Sequence, residues 1–196
     1  MKFFLITAFV VFGLGTLVYS CRPNVTSMFP DDAHRVILVH NARKDSATLS
    51  AYEKKNNKWH RVMRTRADIG IRGITPSKTE GDGQTPIGTF KMHRAFGFPA
   101  EVNTTLKYTQ LTNDDVWVDD PESKYYNQFV TKSVKDKDWK SAEDLSSFPR
   151  AYKYSVVIEY NTDPVGPGAG SAIFLHVKSN GGTAGCVAVS EKDMLY

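Results

Sequence analysis

Cysteine is nearly missing from this chain: 196 residues contain only Cys21 and Cys186. That excludes a disulfide-dense scaffold and any four-cysteine zinc site. With 14 glycines and 9 prolines, the chain is neither collagen-like nor of low complexity. Charge of one sign is not concentrated either, since 25 Lys and Arg face 21 Asp and Glu and leave a formal +4 without a basic block. Such a balance suits an acidic polymer or surface, but no nucleic-acid partner is expected, because that needs a concentrated patch. His34, His40, His60 and His93 show no HxxxH or HExxH spacing. Neither a metal nor a cofactor is expected. Hydrophobic residues at 41% and aromatics at 12% are enough for one packed domain of this length.

The one long apolar run stands at the start. Lys2 precedes Phe3 to Val18, sixteen residues interrupted only by Thr7, Gly13, Gly15 and Thr16. A spanning helix needs roughly 20, so residues 1–20 are expected to be a secretory signal peptide, cut after Val18-Tyr19-Ser20. The stretch Leu17 to Cys21 half resembles a bacterial lipoprotein box, with Tyr19 departing from it. Membrane attachment through this segment, or through lipid on Cys21, is the alternative. On either reading the remainder acts outside the cytoplasm: secreted, periplasmic or attached to the cell envelope. Residues 21–34 are polar and turn-rich and are expected to be a linker, with one domain over 35–196.

An exported chain sharpens the meaning of Cys186. A Cys21–Cys186 bridge would tie a loose terminus to the far end of the domain. Unbridged, Cys186 is a lone thiol in an oxidising compartment, a liability unless its reactivity is used.

Period-two patterns dominate the domain. Arg35 to His40 is a β-branched run, while Thr48 to Glu53 and Trp59 to Met63 alternate around Asn56-Asn57, so they predict a strand and a hairpin. Further strands are expected at Thr85–Met92, Tyr154–Tyr160, Ser171–Val177 and Cys186–Val189, and loops at 74–84 and 161–170. A short helix is expected over Trp139 to Leu145, and Ser190 to Asp193 has capping-box spacing for another. The fold class is therefore mostly β with short marginal helices.

Ten positions separate His176, at the end of a hydrophobic strand, from Cys186. Gly181-Gly182 and Gly185 let the intervening loop fold back and bring imidazole and thiol together. A neighbouring His stabilises a thiolate and later returns a proton to a leaving amine. Gly185, directly before the nucleophile, leaves backbone N–H groups free for a developing oxyanion.

These residues match a known pattern. His176-Val-Lys-Ser-Asn-Gly-Gly-Thr-Ala-Gly-Cys186 resembles the active-site segment of the YkuD-type L,D-transpeptidases. Lys78-Thr-Glu-Gly-Asp-Gly-Gln-Thr-Pro-Ile-Gly-Thr-Phe90 is similar to the family's Gly-x-x-Thr-Pro-x-Gly-x-Phe segment, in the same order along the chain. The chain departs from many members at Ala184, where they carry His, at Ala188, where they carry Arg or Asn, and in its shorter His-to-Cys spacing. It resembles a divergent branch in which His176 alone is the base.

The resemblance implies a β-sandwich or barrel-type domain and cysteine acyl transfer on peptidoglycan stem peptides, forming cross-links through a thioester acyl-enzyme. The alternatives are an L,D-carboxypeptidase or a non-catalytic wall-binding module. Cys186 would be the nucleophile and His176 the base, oriented by the carbonyl of Val177 or Lys178. Gly185 and Thr183 would support the oxyanion region, and Gly83, Thr85, Pro86 and Gly88 would contact substrate. Glu80 and Asp82 are expected to be turn residues or a groove rim rather than a glycosidase pair. Tyr125-Tyr126-Asn127 is either a packing corner or a wall of the cleft.

Overall fold

The computed structural model describes residues 3–7 (backbone only), 25–179 and 182–196. Strands β1 (Phe3–Thr7), β2 (Arg35–Arg43), β3 (Ser46–Lys55) and β4 (Lys58–Asp68) precede two-residue strands β5 (Ile74–Thr75) and β6 (Thr85–Pro86). Then come β7 (Gly88–Met92), β8 (Arg94–Gly97), β9 (Lys107–Gln110), β10 (Asp115–Val118), β11 (Phe129–Thr131) and β12 (Ala142–Asp144). The chain closes with β13 (Tyr154–Val157), β14 (Phe174–Val177), β15 (Val187–Val189) and the helix α1 (Glu191–Met194). Ten strands form one sheet in the order β7-β1-β2-β3-β4-β15-β14-β13-β8-β9, beside a three-stranded β11-β10-β12 sheet and the β5-β6 pair. The mostly β expectation is met.

Strand β2 shows why the sequence folds this way. Val36 and Leu38 pack to one side with Phe29 and Ala33, while Val39 packs to the other with Leu49, Ile69, Met92, Leu175 and Val187. A strand covered on both faces needs the unbroken apolar run that Val36–Val39 supplies. The second cluster draws on β2, β7 and β14, which are far apart in the strand order, so the sheet curls around it. Beyond β13, the Glu159 N–H donates to the Lys91 carbonyl of β7 at 2.9 Å and holds that curl. A cavity of about 610 Å³ lies on this side of β14, among Ile37, Leu49, Met63, Met92 and Leu175. Neither Cys186 nor His176 lines it.

Local chemistry accounts for the turns. Asn56 and Asn57 both have positive φ (48° and 60°) between β3 and β4, the conformation that a two-residue hairpin turn matching the strand twist requires. Ser190 caps α1, accepting from the Asp193 N–H. Pro86 cannot donate to a ladder, and the expected strand 85–92 divides there into β6 and β7.

One expectation needs correction. No helix covers Trp139–Leu145: Ala142–Asp144 is strand β12, paired with β10 through Val118, Trp117 and Val116, and a 3₁₀ turn follows at Leu145–Ser147. Trp139 is buried edge-on against Tyr125, and these tertiary contacts override a helix propensity worth only tenths of a kcal/mol per residue, roughly. In the expected linker, Val25–Met28 is a 3₁₀ turn, and Phe29 stacks edge-on against Tyr52 and Trp59.

Of the expected signal peptide, residues 1–2 and 8–20 lie outside the described residues, as do 21–24 of the linker. The backbone of Phe3–Thr7 lies as β1 between β2 and β7. Among the described residues no helix is long and apolar enough to cross a membrane.

Leu49 is 1% exposed at the centre of the curled core. Leu49→Ala is expected to cost about 2–5 kcal/mol, read as a lower urea midpoint at unchanged slope. An unmoved midpoint would mean that this cluster is not the core.

Candidate active site

Parallel pairing of β14 with β15 sets the site. Its register, Leu175 with Val187 and His176 with Ala188, continues back to place Cys186 beside Phe174. Side chains alternate across a strand, so Phe174, His176 and Cys186 share one face while Leu175 and Val187 face the other core. Contacts agree: Phe174 and Cys186 join Phe96, Trp117, Leu145 and Tyr152 in one cluster, and the His176 ring stands edge-on to Tyr152 at 5.6 Å. From strand spacings, the Cα atoms of His176 and Cys186 are about 8 Å apart.

Both groups are almost closed off, Cys186 at 8% and His176 at 6% exposure. The imidazole Nδ1 lies 2.9 Å from the Val177 carbonyl. A carbonyl only accepts, so Nδ1 carries the proton and Nε2 is left as the basic nitrogen. Burial lowers the His176 pKa below 6.5, partly offset by that bond. The thiol donates to the Ala172 carbonyl at 3.2 Å and receives the Phe174 N–H at 3.3 Å. Burial pushes its pKa up to about 12; Glu143 adds to the rise, while the Phe174 N–H and Lys78 oppose it. Burial thus favours a neutral thiol and a neutral imidazole at rest, because both charged forms are desolvated.

The loop before Cys186 is braced from two sides. Thr183 Oγ1 donates to the Cys186 carbonyl at 2.7 Å and receives the Gly185 N–H at 3.3 Å. Thr85 Oγ1 lies 3.5 Å from the same carbonyl and accepts the Gly70 N–H at 2.8 Å. Gly185 has φ +147°. Its N–H is thus engaged by Thr183 rather than free for an oxyanion, whereas the Cys186 N–H has no acceptor among the described residues. Asn180 and Gly181 lie outside the described residues.

The other motif residues fall as follows. Thr85 and Pro86 are buried in β6, and the Gly83 carbonyl accepts the Arg72 N–H at 3.0 Å. Gly88 lies in β7, where a Cβ would stand 2.5 Å from the Phe90 ring. Asp82 is a turn residue, accepting the N–H groups of Thr79 and Gln84 and pairing with Lys78. Glu80 accepts the Tyr126 hydroxyl, whose pKa is raised by burial first and by that carboxylate second.

Several groups around the sulfur were not legible in the chain. Tyr152 donates to Glu143, and burial raises the carboxyl pKa of Glu143. Both residues come from the irregular 139–153 stretch, which has no usable period. Asn127 accepts from Trp117 Nε1 and the Ala172 N–H and donates to the Tyr160 and Asn161 carbonyls. It thereby anchors Ala172, a non-glycine residue at φ +53°, whose carbonyl holds the thiol. The positive φ of a residue with a Cβ is strain of the kind that clusters at working sites. Lys78 belongs to the Lys78–Phe90 segment, but its burial was not legible in the sequence.

The model of the YkuD family, the L,D-transpeptidase catalytic domain, matches residues 34–196. The chain belongs to the YkuD family. No curated protein and no solved structure matches it at a significant level. The YkuD match takes in both loops that meet at Cys186, and the family's chemistry is L,D-transpeptidase activity on peptidoglycan, which lies outside the cytoplasm.

A thiol pushed to about 12 is far less ionised at pH 7.5 than a free cysteine of ordinary pKa, about 8.5. Iodoacetamide is expected to alkylate Cys186 at least about 1000-fold more slowly than free cysteine. Peptide mass spectrometry of Cys186 measures the rate; one equal to the free thiol's would refute the neutral resting state.

Proposed function

We propose that this YkuD domain is a cysteine acyltransferase acting on peptidoglycan stem peptides. The observation that carries the reading is one shared face: Cys186, directly before β15, lies against Phe174 on the side of β14 that His176 occupies, with Nδ1–H tied to Val177 and Nε2 left basic. In this reading Nε2 takes the thiol proton as the sulfur attacks the carbonyl of the L-centre preceding a terminal D-residue. The oxyanion forms beside the Cys186 N–H. Collapse expels the D-residue, whose amine takes the proton back from His176, and leaves a thioester on Cys186. An amine from a second stem then takes the acyl group and forms the cross-link; water in its place makes the enzyme an L,D-carboxypeptidase.

Ionising the thiol only when its proton can pass to His176 suits a closed site. A neutral imidazole with lowered pKa remains available as a base in mild acid. Thr183, and Thr85 at longer range, act in this reading by holding the Cys186 carbonyl, and Gly83, Pro86 and Gly88 by shaping the wall that Thr85 belongs to. The proposed chain is exported by residues 1–20, consistent with a wall substrate.

Incubation with a tetrapeptide muropeptide tests the reading by product mass. Wild type is expected to release the terminal D-residue, with a dimer marking transfer and a tripeptide marking hydrolysis; Cys186→Ala and His176→Gln are expected to lose at least about 1000-fold. Full turnover by the Cys186 variant would remove the nucleophile from the scheme. Because burial lowers the His176 pKa, protonation that disables the base requires more acid than for a free imidazole. The acid limb of kcat/KM is expected below pH 6.5, and a limb at or above that value contradicts a buried neutral base.

A further inference from the structure

Beside the nucleophile lies a buried cation that these steps do not use. The Lys78 side chain is 3% exposed, and its ammonium pairs with Asp82 at 2.7 Å. Asp82 is itself held by the Thr79 and Gln84 N–H groups at 2.9 Å each, so the pair is aimed by its own loop. The lysine stem crosses Gly170, where a Cβ would stand 2.9–3.0 Å from three of its methylenes. Its ammonium abuts Gly185, where a Cβ would stand 3.2 Å from Nζ. Two glycines from separate loops, at φ +101° and +147°, thus leave a channel for one unbranched chain. That channel ends against the residue before Cys186.

Stability is a poor explanation for such a pair. Desolvating both charges costs about as much as their attraction returns, and apolar replacements are often neutral or better. Function is the better account, because a fixed charge in a dry site acts strongly on charge that develops there. The other charged groups near the sulfur are accounted for: Glu143 is bound to Tyr152, Glu80 to Tyr126, and His176 is neutral. With the Gly185 N–H engaged by Thr183, the Cys186 N–H has no second backbone donor from Gly185.

We propose that Lys78, aimed by Asp82, supplies the fixed positive charge that stabilises the Cys186 thiolate and the oxyanion formed on it. The inference deepens the acyl-transfer reading and rests on it. Lys78 is a positioning residue that acts through its field and takes no part in the proton transfers. The thiol proton goes to His176 Nε2, sulfur bonds to the carbonyl carbon, and the displaced electron pair on oxygen is what the ammonium faces. On collapse that pair re-forms the carbonyl, and the amine leaves with the proton from His176.

Two variants of opposite sign test it. Lys78→Met is expected to slow iodoacetamide alkylation of Cys186 at pH 7.5 by about tenfold or more, the effect of one unit in thiol pKa. It is also expected to lower kcat by at least about tenfold, with KM within about twofold. Asp82→Asn removes the neutralising carboxylate and is expected to speed alkylation. A loop clamp without an electrostatic role moves both variants the same way, so slower alkylation by Asp82→Asn, or a wild-type rate in Lys78→Met, overturns the inference. If Lys78→Met does not fold, the direction of the Asp82→Asn rate decides alone. The parent reading fails separately: an active Cys186→Ala removes it, whereas an inactive Cys186→Ala with unaltered alkylation in Lys78→Met removes only the role of Lys78.

Discussion

The site depends on one backbone constraint, the parallel pairing of β14 with β15. Two strands pairing in parallel put residues of matching register on the same face, and here that register sets Cys186 beside Phe174 and within one pleat of His176. A one-residue slip would send the thiol into the opposite core among Leu175 and Val187. The slip is opposed from both sides. Phe174 is fully buried between Phe96, Trp117 and Tyr152, and Leu175, Val187 and Val189 fill the curled sheet behind it.

Burial then decides the electrostatics. Thiol and imidazole both rest uncharged, because desolvation outweighs the contacts that favour their ionised forms. The sulfur is held as a hydrogen-bonded thiol on the Ala172 carbonyl, and in the proposed reaction it becomes nucleophilic only as its proton departs. The same dry surroundings magnify any fixed charge nearby, which is why a single buried ammonium against Gly185 carries weight that an exposed lysine would not. The carboxyl of Glu143, drawn in by Tyr152, works in the opposite direction and makes a positive counterpart more consequential.

How far the chain itself disclosed this varies with the range of the interactions. The hairpin of β3 and β4, the Asn56-Asn57 turn and the Ser190 cap depend on neighbours in sequence and were legible from period and turn chemistry. Strand β12 was not, since Ala142–Asp144 is extended only because β10 pairs with it. The short strands β8 to β11 have no period long enough to detect. For the site, His176 and Cys186 were legible through the Gly-rich loop between them, and the carbonyl at the imidazole only through the resemblance to the family. The neutral resting state and the engaged Gly185 N–H were not, because they follow from what covers the loop.

The sequence by itself determined the predominantly β fold and the family, and it singled out the His and Cys on which the proposed chemistry rests. These are properties of local pattern, residue type and spacing. Tertiary structure alone decided the charge state of those residues, the brace from Thr85 and Thr183 onto one carbonyl, and the lodging of Lys78 between Gly170 and Gly185. Each of these joins segments distant along the chain, and desolvation depends on the whole shell around a group, which no stretch of sequence specifies by itself.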